Sequence, residues 1–381
     1  MTMMKTPRLL SLDAFRGFTV ASMLLVNNPG EWAHIYGPLE HAEWNGWAFT
    51  DWIFPFFVFI SGISMTLSLG RRAGQVSGKG SLMLQTWRRG LTIIIIGLLL
   101  NSIGHSSFDT IRIPGVLQRI GLCTILTVPL VLWCSVRGQV IALLALLAVY
   151  SVIQLGVPVP DAQGVVHTGS LAAGQDVGAW IDRALLNGHL WYSSKTWDPE
   201  GLLSTLPAVA SQLAGVLAGQ WLAAKRDAPE KAMGFMIAGL ALLWAAQIGD
   251  AWLMPINKSL WTPPYMLLCA GWACLVFGSF YWLLDAMPRP LLRERLARFA
   301  YPFTVFGMNA LFMFALSGLV GRLLVLIKDG QGLTLKGMIY APIKALPLEP
   351  INTSLVYAIG FLAVMYLAAW IMFKKRWFFK V

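Results

Sequence analysis

His41, Asn45 and Asp51 stand close together in EHAEWNGWAFTDWIFPFFVFISG (Glu40–Gly62), where a polar, tryptophan-rich stretch runs directly into an apolar one. Each of these residue types has a use in acid–base chemistry. An imidazole with an ordinary pKa near ~6.5 can take a proton at neutral pH. Asp51 heads an otherwise uncharged apolar run, and a carboxylate there is costly unless it faces a protein interior or a wet cavity, which makes it a candidate for function. A spacing of four would put His41 and Asn45 on one face of a helical turn. Pro55 lacks the N–H that a continuing helix needs and should bend the segment nearby. Together these residues point to a reaction centre at a membrane–water boundary.

Other polar residues stand at or inside apolar stretches. Asp13 and Arg16, three apart at the head of the first stretch, can meet on one helix face. Arg16 is then either an anchoring ion-pair partner or a contact for an anionic phosphate. Asn27 and Asn28 close that stretch, and an amide offers donor and acceptor together. In RIPGVLQRIG (Arg112–Gly121), Arg119 lies about two turns deep and needs a partner, for which Asp51 or Asp109 could serve, or a ligand. TWDPEGLLSTLP carries Trp197, Asp198 and Glu200, an aromatic face beside carboxylates as sugar binding uses, or else an interfacial tryptophan with helix-start acids. PINKSLWTPPY adds Asn257, Lys258 and Trp261, and Asn309 is a polar residue in a late apolar segment that could face the same cavity. His34, His105, His167 and His189 have no ligand-like spacing, and the four cysteines form no CxxC pair, so no metal is expected.

Composition sets the class of the elements that must hold these residues. Hydrophobic residues are 57% of the 381 and charged residues 12%, about half the usual globular share of roughly 25%. The chain reads as an all-α polytopic membrane protein embedded in the lipid bilayer. Its net charge of +11 would suggest nucleic acid in a soluble chain. Here most Lys and Arg fall in short loops on one side, so the excess reports topology and no nucleic-acid partner is expected. About ten segments have the ~20-residue length of a span, near 12–28, 47–69, 87–104, 115–135, 138–156, 204–224, 232–254, 264–285, 301–327 and 352–373.

Alternation of sides puts both termini in the cytoplasm and His41 outside. The first segment, with Lys5 and Arg8 before it and no small-residue cleavage site, reads as a retained helix. Residues 157–203 form the longest outer loop, of a length more typical of a lid or binding element than of a linker. The connection 328–351 also lies outside, and the whole chain 1–381 reads as one domain. Gly215 and Gly219 form a GxxxG that permits close helix packing, and small-residue faces permit a homodimer.

LDAFRG, LLVNN, HAEWNGW, DWIFPFFVFISG, RIPGVLQRIG, WDPEGLLSTLP, PINKSLW and FGMNAL occur here in the order and spacing of one family. The chain resembles the bacterial members of the heparan-α-glucosaminide N-acetyltransferase family, over nearly its whole length. The resemblance implies transfer of an acetyl group from cytosolic acetyl-CoA to an amino sugar on the far side of a bacterial inner membrane. It makes His41 the catalytic residue and aligns Asn27 with the family's LVN asparagine. Asn27 or Asn45 would then stabilise the oxyanion, with Asp51 beside them. Arg16, Arg119 and Asn309 would contact acetyl-CoA. Trp197, Asp198, Glu200, Lys258 and Trp261 would hold the sugar. The competing reading is a transporter for an amino sugar such as N-acetylglucosamine, which needs no acetyl-CoA, although no inverted repeat is evident.

Overall fold

The computed structural model describes residues 9–72 and 78–379. Among them the apolar runs fold into fourteen α-helices: α1 (Leu10–Val26), α2 (Phe49–Arg72), α3 (Lys79–Ser102), α4 (Val116–Trp133), α5 (Val136–Gly156), α6 (Val177–Leu186), α7 (Thr205–Ala223), α8 (Ala228–Trp252), α9 (Pro263–Tyr281), α10 (Pro290–Phe299), α11 (Tyr301–Gly307), α12 (Ala310–Leu326), α13 (Leu335–Lys344) and α14 (Pro350–Lys374). The described strands, β1 (Val159–Pro160) and β2 (Val166–His167), form an antiparallel pair inside the 157–203 connection. That connection also contains α6.

Every predicted span falls on a helix, but the number able to cross a bilayer differs. Seven described helices are long and apolar enough to do so, and α11 with α12, bent by 82° at their break, makes an eighth where the pair is counted as one span. The chain is thus a polytopic membrane protein. The two predicted spans that fall short are α1, with 17 residues, and α7, which is interrupted by Gln212 and Gln220. Both are sheathed by other helices, and most of their residues are buried. A helix shielded by protein need not match lipid in length or polarity. The helices around them do. Leu91, Ile95 and Leu99 of α3, Ile141, Leu144 and Val152 of α5, and Ile237, Trp244 and Ile248 of α8 are all exposed. Apolar faces turned outward are what a hydrocarbon solvent demands.

Missing side chains set the closest approaches. A Cβ on Gly17 would lie 1.6 Å from the Phe303 carbonyl oxygen, and one on Gly307 1.8 Å from that of Asp13, so α1 and α11 touch backbone to backbone. Gly215, the first residue of the GxxxG pair, does the same against Phe59 of α2, at 2.0 Å. The start of α1 has no side-chain cap of its own. Its first amides, Leu10 and Ser11, donate instead to the Asp285 carboxylate at 3.3 and 3.0 Å.

Candidate active site

Residues 40–48 form an irregular loop, and α2 begins only at Phe49. His41 and Asn45 therefore do not share a helical face, contrary to the spacing argument. Distant segments pin the loop instead. The Gly46 amide, at a φ of 98° that favours glycine, donates to Ile256 O at 2.7 Å. Asn45 pairs with Asn257 in an isolated antiparallel bridge, and Asn257 Nδ2 donates to Asn45 Oδ1 at 3.1 Å. Trp44 Nε1 donates to Leu171 O at 2.9 Å, tying the loop to the 157–203 connection.

The loop delivers His41 to Asp51. Nδ1 of His41 lies 2.7 Å from Asp51 Oδ1. Asp51 Oδ2 accepts the backbone amides of Ala42 and Ala48 at 3.2 and 2.9 Å. Both carboxylate oxygens thus point at one turn of chain, and Asp51 is 1% exposed whereas the His41 side chain is 47% exposed. Lys258 completes the cluster, with Nζ 3.2 Å from Asp51 Oδ1 and 2.8 and 3.3 Å from His41 Nδ1 and Nε2. Nδ1 can serve only one neighbour at a time: protonated, it donates to Asp51; unprotonated, it accepts from Lys258. In the first state Nε2 keeps its lone pair, with Lys258 Nζ 3.3 Å away. A carboxylate that orients an imidazole and leaves its second nitrogen unprotonated is the arrangement that general-base chemistry uses.

Pro55 does not break α2, which runs through it. The missing N–H leaves the Asp51 carbonyl without its helical donor, and Tyr265 OH donates to that oxygen at 2.7 Å. Pro129 in α4 is handled the same way, since Trp87 Nε1 donates to Ile125 O at 3.1 Å. In both spans a neighbouring helix supplies the lost hydrogen bond, as a membrane interior requires.

Other predicted site residues lie elsewhere. Asp198 is enclosed and meets Arg112 through two bonds, from Nε at 2.8 Å and Nη2 at 2.5 Å, while Glu200 takes a further bond from the same Nη2. Burial alone would push the Arg112 guanidinium down, but Glu200 and Asp198 together hold it above its ordinary range. Both acids are thus committed to an arginine. Trp197 packs edge-on against Trp44 at 5.0 Å and Trp191 at 5.7 Å, close to the His41 loop. Trp261 is 1% exposed, donates to Ser211 Oγ at 3.0 Å and belongs to the core, not to a sugar surface.

Arg119 pairs with neither Asp51 nor Asp109. Its Nη2 donates to Gly201 O and Ser204 Oγ at 2.6 and 2.5 Å, and the guanidinium lies 5.2 Å over the Trp261 ring. Arg16 and Asn309 sit at the opposite end of the bundle. Arg16 reaches Asp13 at 3.2 Å and Ser64 Oγ at 2.5 Å. Asn309 stands at the α11–α12 break, donating to Trp377 O and accepting from the Phe379 amide, so it holds the C-terminal segment and does not face the region of Asn257 and Lys258. Near it, a cavity of about 510 Å³ is lined by Asp13, Lys374 and Arg376 among others. Asn27 lines a different cavity, of about 580 Å³, with Asn101, Arg112, Gln118, Arg322 and Lys336.

Sequence reasoning assigned no role to Tyr265, Asn257, Arg322 or Lys336. Arg322 carried a readable signal, as a charge inside the segment 301–327. A carbonyl freed by Pro55 announced that some donor must exist, but no spacing in the chain connects it to Tyr265.

Compared with known proteins, residues 8–255, more than half of the chain, match the family described as heparan-alpha-glucosaminide N-acetyltransferase, catalytic. The heparan-alpha-glucosaminide N-acetyltransferase of Mus musculus is 28% identical over 334 residues, covering 73% of this chain and 49% of that protein. The protein of the same name from Homo sapiens is 29% identical over 332 residues, again 73% and 49%. The chain spans about half the length of these curated relatives. His41, Asn45 and Asp51 lie inside the family match, and Lys258 lies just beyond it.

Proposed function

The chain belongs to the heparan-alpha-glucosaminide N-acetyltransferase family, and from that premise we propose that it moves the acetyl group of acetyl-CoA to the amine of an amino sugar at His41. The single observation that carries this reading is the His41–Asp51–Lys258 cluster, with a half-exposed imidazole held by an enclosed carboxylate. His41 Nε2 accepts the proton as the sugar nitrogen bonds to the thioester carbonyl carbon. The carbon–sulfur bond then breaks, and the protonated imidazole returns a proton to the leaving thiolate. Asp51 fixes the tautomer throughout. Lys258 is the cationic donor beside His41 for the oxyanion, and the amide nitrogen of Asn45, whose Oδ1 is held by Asn257, would add a second.

The donor's phosphates need cations, and the cavity at the opposite end offers Lys374 and Arg376. In this reading the termini lie in the cytoplasm, the side that the basic loops favour, and His41 lies on the other side of a bacterial inner membrane. In this reading the 157–203 connection, through Trp44 and Trp197, borders the acceptor.

A transporter reading draws on one feature, the broken span at Asn309, since interrupted helices line many transport sites. Ligand binding to the purified protein separates the two. Acetyl-CoA at 100 times its Kd should raise stability by about 2.7 kcal/mol, read as a thermal shift. Stabilisation by N-acetylglucosamine with none from acetyl-CoA or CoA would replace the transferase with the transporter.

A further inference from the structure

The 580 Å³ cavity that holds Asn27 has the size of a small-molecule site and one sign of charge. Arg112, Arg322 and Lys336 line it, and no carboxylate does. Arg112 is already matched by Asp198 and Glu200, which approach from the loop before α7. Arg322 and Lys336 are different. Arg322 donates to the Gly318 carbonyl at 3.3 Å and to Asn101 Oδ1 at 3.1 Å, both neutral. Lys336 lies over the Tyr357 ring at 5.6 Å. Among the described residues neither forms an ion pair with an acid.

The wall of the same cavity holds a further polar group. Gln118 is 6% exposed, and its Nε2 makes no hydrogen bond to any described residue. A Cβ on Gly97 or Gly115 would fall 2.4 or 2.7 Å from Gln118 Oε1, so both glycines make room for this amide against the cavity wall. An enclosed donor without an acceptor costs about 1–3 kcal/mol. Two cations without an ion-pair partner among the described residues are met at once by one oxyanion.

We propose that this cavity binds the oxyanion of an acidic ligand, a sulfate, phosphate or carboxylate held by Arg322 and Lys336. Two sources supply that chemistry: an acidic substituent on the acceptor sugar, or the phosphates of the donor. The choice between them rests on the acetyl-transfer reading above; the site itself does not.

The test uses the full chain purified in detergent, with glucosamine, glucosamine 6-sulfate, CoA and inorganic sulfate as probes. Arg322→Gln and Lys336→Gln are compared with wild type by calorimetric titration. Arg322 is part of the bundle, so Lys336→Gln, on the short helix α13, guards against loss by misfolding. Glucosamine 6-sulfate should bind wild type more tightly than glucosamine, with each substitution weakening it about ten- to hundredfold and leaving glucosamine unchanged. The same loss confined to CoA would assign the oxyanion to the donor. Wild-type binding of the sulfated sugar without any response to CoA or acetyl-CoA would keep this site and remove the transferase reading. Equal affinities in wild type and both variants for every anionic probe would overturn the proposal.

Discussion

Two charged clusters lie side by side, joined by the contact of Trp44 with Trp197, and are built from similar parts. In one, Asp51 meets His41 and Lys258; in the other, Asp198 and Glu200 meet Arg112. Asp51 and Asp198 are both enclosed. What differs is the partner. His41 is half exposed and presents an imidazole with two ring nitrogens, whereas Arg112 offers only donors and is held by three bonds. An enclosed acid that orients an open, titratable base is equipped for chemistry. An enclosed acid that grips an arginine through a bidentate pair is equipped to clamp two loops.

The largest effect should come from breaking the first cluster. His41→Ala should lower the acetyl-transfer rate by roughly 10²–10⁴ if the imidazole acts only as a base, and leave the melting temperature near that of wild type. Transfer falling to nothing would favour an acetyl-histidine route. An unchanged rate would remove His41 from the mechanism and make the two clusters equivalent.

The second cluster should respond in the other currency. Asp198→Ala leaves Arg112 with Glu200 alone, part-buried, and should cost about 2–4 kcal/mol of stability. Differential unfolding in detergent reads this loss. Affinity for the acceptor should hold in the protein that remains folded. An acceptor affinity that collapses while the melting temperature stays put would turn the clamp back into the sugar site that its residue types first suggested.

The contrast explains what the chain reveals about itself. Helical spans were legible because lipid imposes length and hydropathy on each segment separately, but edges were less so: α3 begins at Lys79, not 87, and the segment 301–327 is broken after Gly307. His41 and Asp51 were legible because a histidine beside a membrane boundary and an acid inside an apolar run are both expensive. WDPEG was legible as a polar motif but not as a clamp, since its partner Arg112 stands in the loop before α4, far away in sequence. The same holds for Trp261, whose burial depends on Ser211 and Arg119. The short length of α1 and the polar residues of α7 have this origin too, because whether a helix is sheathed is a property of its neighbours. A sequence shows which groups are costly; the fold decides who offsets the cost.

Asp182 sharpens the comparison further, as an enclosed acid that has neither partner. It accepts the Leu202 amide at 2.9 Å and, among the described residues, forms no ion pair. Burial, opposed by that amide and reinforced by Asp198, pushes its carboxyl from an ordinary 3.8 up to about 6. Between those values the folded state holds the proton that the unfolded state has lost, so stability falls as pH rises through this window. At pH 7 the ionised group costs about 1–3 kcal/mol, the smallest of these effects. Asp182→Asn keeps the acceptor for Leu202 and removes the charge. Its melting temperature should exceed that of wild type at pH 7, and the gap should close as pH is lowered towards 4. A gap that does not change with pH would mean that Asp182 is neutralised by a partner after all, and so belongs with Asp198.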